Sequence, residues 1–529
     1  MTPRRRFPWT LALLVATLAL ALVPSTSVAS RNQFSILQDD AVLLGLTERD
    51  PDLAMAEAKA LGVDIVRTFV VWDTVVPKPN SREMPERFDP GDPESRGYDW
   101  RYYDAFVDRA RRHGLKVSLT LAPPIPYWAS EEPDRCPHFV GGYRKLGTSC
   151  HWKPQPRLFG QFANAVVQRY GSQSAGPYGG QVDFYSMYNE PNLEHYLYPQ
   201  ARTSGAGTVD VAGARYRQLW YQGWKAVARY DAPLSGKVLF GEVAAISSPV
   251  DTLYAALCLD EEGRPFRGRM RALQGCQRPR KLPIGGFAVH PYNADASGTV
   301  FTRPYSEDSL PMAALKRLHK VGDRAARYGR IPRSGRGIYL TEFGFQSNPP
   351  DKKRGLTPDR QATAINEAER LFYADRRVKS FAQFELFDVP EPRGGVDVYN
   401  TGLHYVDGEI KPSWRAFRMP LVVTRLSAGS VEIWGQARAA VGRTQVTIAV
   451  SRGRGGFAPV RRPRTSTSGY FRVRMRTRDT EKQRYQLRWR SPEGELHVSR
   501  VAAPGKPIRY APERRPKSPD GQGVPPIVR

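Results

Sequence analysis

Eight times between residues 34 and 390, a short apolar run rich in β-branched residues ends in polar side chains and gives way to a longer helical stretch. That recurrence constrains the fold more than any other feature of the chain. The runs are FSILQDD from Phe34, DIVRTFVVW from Asp64, LKVSLTLAPP from Leu115 and VDFYSMYNE from Val182. KVLFGEVA from Lys237, IGGFAVHPY from Ile284, GIYLTEFGF from Gly337 and SFAQFELFD from Ser380 complete the set. Their spacing of roughly 30–70 residues is the length of a strand, a loop and a helix. The helices are punctuated: DPDLAMAEAKALG stops at Gly62, YDWRYYDAFVDRARRHG at Gly114 and RLFGQFANAVVQRYG at Gly171, while TPDRQATAINEAERLFYAD opens on a Thr-Pro entry. Alternation of strand and helix implies a parallel sheet. Eight units in one domain imply a closed α/β architecture, the (β/α)8 TIM barrel. A doubly wound open sheet would want a Gly-rich phosphate turn after an early strand, and QDDAVLLG offers none.

The chain has 529 residues, too many for one ordinary core. Residues 1–30 read as a signal peptide: Arg4, Arg5 and Arg6, then an apolar stretch from Trp9 to Val23, then small residues that fit cleavage after Ala29. The barrel is expected over residues 31–420. After Pro420 the pattern changes to alternating strands, SVEIWGQA, TQVTIAV, GYFRVRMRT, RYQLRWRS and LHVSRVA, which predict a β-sandwich over 421–510. Residues 511–529 lack the apolar content to fold and are expected to be a disordered, basic, Pro-rich tail.

A signal peptide places the protein outside the cytoplasm, secreted or extracytoplasmic, where four cysteines favour oxidation. Pairing of sequence neighbours, Cys136 with Cys150 and Cys258 with Cys276, is the simplest of three connectivities. Cys136, His138, Cys150 and His151 could also be read as a zinc site, but adjacent Cys and His rarely both reach one tetrahedral ion. No metal is therefore expected. The net charge of +27 is uneven: from Leu421 onward there are 23 Lys and Arg against seven Asp and Glu, a net +16. Such a region could contact an anionic cell-wall polymer or polysaccharide, or its arginines could simply solvate the surface. Nucleic acid is not an expected partner of an exported chain without a reading motif.

In a barrel of this kind the active site lies at the C-terminal ends of the strands. The residues there include Asp39, Asp40, Arg67, Trp72, Asn189, Glu190, Glu242, His290, Tyr292, Glu342 and Phe345. Carboxylates, an imidazole, a phenol and a guanidinium suit acid/base work and carboxylate nucleophiles. Glycosidic cleavage fits: one carboxylic acid protonates the leaving oxygen, and a second carboxylate attacks or directs water. Trp72 and Trp128 could stack on sugar rings, with core packing an equal alternative for each. Glu242 in FGEVAA has no supporting motif, and a structural or subsite role is expected of it rather than catalysis.

YNEPN at 188–192 on the fourth strand and TEFG at 341–344 on the seventh, with HPY at 290–292 between them, resemble the catalytic signatures of the clan A glycoside hydrolases. The resemblance covers roughly residues 31–420 and is strongest to families 5 and 39. It implies Glu190 as the general acid/base and Glu342 as the nucleophile of a retaining hydrolase of β-linked oligo- or polysaccharide. It also implies Asn189 on the sugar 2-hydroxyl, Tyr292 on the nucleophile, His290 in the same subsite, and Arg67 beside the nucleophile. No cofactor is implied. A neighbouring arginine lowers a carboxyl pKa by ~1–3 units, so Arg67 is expected to keep Glu342 ionised. The sequence departs from the families at the eighth strand, where FAQFELFD carries no tryptophan to floor the subsite and leaves Phe384, Phe387 or nothing in that place. The alternative from another class is a non-catalytic carbohydrate-binding or surface-adhesion protein on the same barrel.

Overall fold

The computed structural model describes residues 33–138, 149–174, 176–295, 298–390, 399–453, 455–477 and 481–512. The expected signal segment and most of the expected tail lie outside them. Eight strands form one parallel sheet: Phe34–Gln38, Ile65–Val71, Lys116–Ala122, Val182–Met187, Val238–Ala244, Gly286–His290, Ile338–Leu340 and Ser380–Phe384, strands one to eight below. Each of the eight runs read from the sequence contains one of them. Strand one pairs with both strand two and strand eight. The seam between seven and eight is closed by Ile338, whose N–H donates to Arg377 O at 2.7 Å and whose carbonyl accepts from Lys379 N at 2.7 Å. The sheet is therefore a barrel. Its strands are largely buried on both faces because one face fills the cylinder and the other meets the helices; strand five is buried along its whole length.

The helices begin and end where the sequence marks them. Asp50 caps Pro51–Leu61 by accepting from Asp52 N, and Gly62 ends it at φ 82°. No other residue fits there: the left-handed conformation disfavours a side chain, and a Cβ would stand 2.6 Å from the Arg438 carbonyl carbon. Thr357 caps Pro358–Tyr373 through Arg360 N.

The C-terminal strands build two four-stranded sheets. One runs Tyr470–Arg476, Ser430–Gln436, Leu421–Ser427, Pro504–Gly505; the other runs Ala458–Arg461, Thr447–Ser451, Arg484–Arg490, Leu496–Val498. Leu421, Val431, Ile433, Ile448, Leu487 and Trp489 share the core of this sandwich. It docks on the barrel through helix Pro358–Tyr373. Trp434 meets Tyr373 at 5.3 Å and Tyr470 at 5.7 Å, and Arg438 pairs with Glu369 at 2.7 Å with both side chains buried.

The disulfides are Cys136–Cys150 and Cys258–Cys276. This removes the zinc alternative, since both sulfurs it needs are bonded to each other. No helix among the described residues is long and apolar enough to cross a membrane.

Candidate active site

The foundation of the site is a guanidinium inside the barrel. Arg67 is fully buried and is the third residue of strand two, deeper than the strand end expected from the sequence; its long side chain carries the charge upward. It donates to Glu342 Oε1 at 2.9 Å, Glu242 Oε2 at 3.1 Å and Thr120 Oγ1 at 3.1 Å, and it also bonds Gln38. An arginine enclosed this way persists only if its donors are paired.

Glu242 reaches it because strand five is bulged. The pairing with strand six shifts between Gly241 and Val243, and Glu242 takes φ 47°. Gly241 permits the bulge: at φ 119° a Cβ would meet the Ala288 carbonyl oxygen at 2.6 Å. Besides Arg67, Glu242 Oε2 accepts from Thr341 Oγ1 at 2.6 Å and contacts His290 Nε2 at 2.7 Å.

His290 closes strand six and is fully buried. Its Nδ1 lies 2.8 Å from Glu190 Oε1 and 3.6 Å from Glu342 Oε2. Ligand atoms of Glu190, His290 and Glu342 all fall within 4.8 Å of one another, so the two carboxyl groups 152 positions apart converge on one space. Tyr292 donates to Glu342 Oε2 at 3.5 Å. That trio could also ligate an ion, but the Arg67 guanidinium, bonded to Glu342, already supplies a positive charge there.

Glu190 is held by a strained chain exit. The ladder of strand four ends at Met187; Tyr188 (φ 72°) and Glu190 (φ 40°) are then left-handed without being glycine. Such conformations cost of order 1–3 kcal/mol each and gather at functional sites. Tyr188 N donates to Leu121 O at 2.7 Å, and Glu190 N to Glu242 O at 2.9 Å. Asn192 ties the exit to strand five, accepting from Ala244 N at 3.0 Å and donating to Ile246 O at 2.6 Å. Asn189 is buried beside them, its Oδ1 without a protein partner.

Burial disfavours the charged form of His290, but Glu342, Glu190 and Glu242 outweigh it and push the imidazole up to about 10. Burial raises Glu242 too; there Arg67 and His290 win and hold it down to about 2. Glu342 goes the other way. Burial raises it and the charge of Glu190 adds to that, more than His290 and Arg67 lower it. The expectation that Arg67 keeps this carboxyl low is corrected: desolvation on burial, with the charge of Glu190, exceeds the attraction of His290 and the shared guanidinium.

The tryptophans expected to face sugar do not. Trp72 is fully enclosed, stacked on Phe162 at 5.2 Å, and Trp128 is 4% exposed against Trp72 and Phe88. Trp72 fills the space between the barrel and helix Pro156–Tyr170, and Trp128 packs against Trp72. Other aromatic rings lie near the carboxylates: half-buried Phe384 at the end of strand eight and Tyr399, 49% exposed, both pack on Tyr292. Phe387 turns away to stack on His404. Glu242 is the site member the sequence motif left out. Its signal was a lone carboxylate in an otherwise apolar run, which cannot be buried unpaired. A cavity of about 990 Å³ opens beside the cluster; Asn192 and Glu194 line it, Glu190 and Glu342 do not.

No family model matches the chain, and no curated protein does. Solved structures match in fold. A glucosidase from Croceicoccus marinus superposes with a TM-score of 0.51 at 13% identity, covering 89% of this chain and 97% of that one. Fpglu1 from Fervidobacterium pennivoraus gives 0.40 at 13% identity, over 73% and 94% of the two chains. An endo-1,4-β-D-mannanase from Thermotoga petrophila gives 0.36 at 13% identity, over 70% and 92%. With the Croceicoccus marinus glucosidase the chain thus shares its fold.

Proposed function

We propose that this protein is an exported retaining glycoside hydrolase of clan A that cleaves β-linked oligo- or polysaccharide by double displacement. The observation that carries the reading is the approach of Glu190 and Glu342 to within 4.8 Å, oxygen to oxygen. Retaining enzymes hold their carboxyls ~5–5.5 Å apart, whereas inverting ones leave ~6.5–9.5 Å for a water. Glu342, reached by Arg67 and Tyr292, attacks the anomeric carbon. Glu190, less buried and facing the same His290 nitrogen as Glu342, protonates the leaving oxygen and then draws a proton from water. The unpartnered Asn189 Oδ1 accepts from the sugar 2-hydroxyl, a contact that strengthens as positive charge grows at the anomeric carbon. Phe384 and Tyr399 offer the apolar surface a pyranose face needs. Placement in families 5 or 39 belongs to the same proposal.

The test is a hydrolysis screen over aryl β-glycosides and β-linked polysaccharides, comparing the wild type with Glu342→Gln. Turnover by the wild type and a loss of at least about 10³-fold in the folded variant are expected. A screen without turnover, with carbohydrate nonetheless bound, would favour the non-catalytic binding protein.

A further inference from the structure

The double-displacement reading uses Glu190 and Glu342 and leaves unexplained a third carboxylate, deeper than either and with three partners on one oxygen. Glu242 is fully buried, and one of its oxygens meets Arg67, Thr341 and His290 together at 3.1, 2.6 and 2.7 Å. A residue needed only to neutralise Arg67 has no reason to contact a histidine whose other nitrogen touches the acid/base. The bulge at Gly241, with φ 47° at Glu242, aims this carboxylate at Nε2.

We propose that Glu242 is a positioning residue that keeps His290 an imidazolium, with its Nδ1–H directed at Glu190 Oε1. This rests on the glycosidase reading and deepens it. The groups facing His290 are Glu242 from strand five, Glu190 from the exit of strand four, and Glu342 from beyond strand seven. Arg67 of strand two bonds both Glu242 and Glu342, and Tyr292 meets Glu342. His195, in the loop after strand four, feels the charge of Glu190. Counted with His290 protonated, two cations face three carboxylates, so charge balance leaves one proton for Glu190 and Glu342 to share. That is the inventory a retaining mechanism requires: one acid and one anion. When Glu190 gives its proton to the leaving oxygen, negative charge develops on a carboxyl group already 2.8 Å from a cationic N–H. The buried anion at Nε2 holds that N–H in place and in the right protonation state.

The experiment is an ¹⁵N titration of the full chain with labelled histidine, His290 being assigned by its loss in His290→Gln. In the wild type, His290 should be doubly protonated at pH 7 and lose its proton only well above neutrality. Glu242→Gln should lower that midpoint by about two pH units. Glu242→Asp, which keeps the charge but withdraws it, should lower it by less and serves where the amide variant does not fold. A neutral His290 at pH 7 in the wild type, or a midpoint unmoved in the variants, overturns the proposal. Kinetics give a second readout. Glu242→Gln should lose about 10²-fold in kcat on a glycoside with a poor leaving group and under about tenfold on a dinitrophenyl glycoside, with KM unchanged. Equal losses on both would contradict it. If the wild type hydrolyses nothing, the glycosidase reading falls while the titration still decides the Glu242–His290 pair.

Discussion

Glu342 is asked to be an anion in a place that resists anions, and two predictions at the residue scale come from that. Burial holds its carboxyl above the ordinary 4.5, so the anion that the proposed mechanism needs accumulates only at higher pH. The acidic limb of a kcat/KM profile should therefore lie above pH 4.5; a limb below it would contradict the burial argument. His290 predicts the alkaline side of stability. Its folded value is raised to about 10 from 6.5, so its contribution is complete below about pH 6.5 and is lost as pH rises through about 10. Thermal unfolding should fall across that window in the wild type, and His290→Gln should flatten the fall. At this scale the motif residues were legible, because NEP, HPY and TEFG place polar side chains where a strand needs none. Trp72 and Trp128 were not: a tryptophan just past a strand or in the loop beyond it serves a sugar face and a core interface equally well, and only packing distinguishes them. Arg67 was legible as a partner of Glu342, but Glu242 and Gln38, which share it, come from strands with no motif.

The exit of strand four is the element on which the geometry depends. Two left-handed residues that are not glycine, Tyr188 and Glu190, stay in place only because their surroundings hold them. Asn192 is the main tie, bonding the backbone of strand five and the loop after it in both directions. Asn192→Ala should destabilise the fold by about 1–3 kcal/mol, the cost of stranding buried backbone partners. It should also lower kcat by displacing Glu190 while Glu342 stays put; thermal unfolding beside kinetics checks both. Full activity in a destabilised variant would mean that Asn192 holds the fold but not the acid. The barrel strands were readable because each is an apolar run bounded by turn residues. The bulge in strand five was not, since Gly241 alone announces it. The hairpin of Ala201–Ser204 and Gly207–Asp210 and the strand Leu421–Ser427 were also missed. The hairpin is too polar to show a buried face, and LVVTRLS follows a proline with too little alternation to stand out.

The sandwich is fastened to the barrel at a distance from the chemistry. Both of its tryptophans are buried, Trp434 at 1% and Trp489 at 4% exposure, so neither offers a flat surface to a polymer. What it offers is a lid for helix Pro358–Tyr373, locked by the buried pair of Arg438 and Glu369. Arg438→Met should cost about 3–5 kcal/mol in unfolding free energy by leaving Glu369 buried and uncompensated, and pairing it with Glu369→Leu should recover most of that loss. The whole molecule is then a barrel whose rim brings Glu190 and Glu342 together, and the proposal makes them its reactive pair. The direct measurement of that claim is trapping with a panel of 2-deoxy-2-fluoro-β-glycosyl fluorides, followed by intact mass and peptide mapping. One glycosyl adduct per chain, on the peptide containing Glu342 and absent from Glu342→Gln, is the predicted result; a stable adduct on any other residue, or hydrolysis of these sugars with inversion at the anomeric carbon, would contradict it.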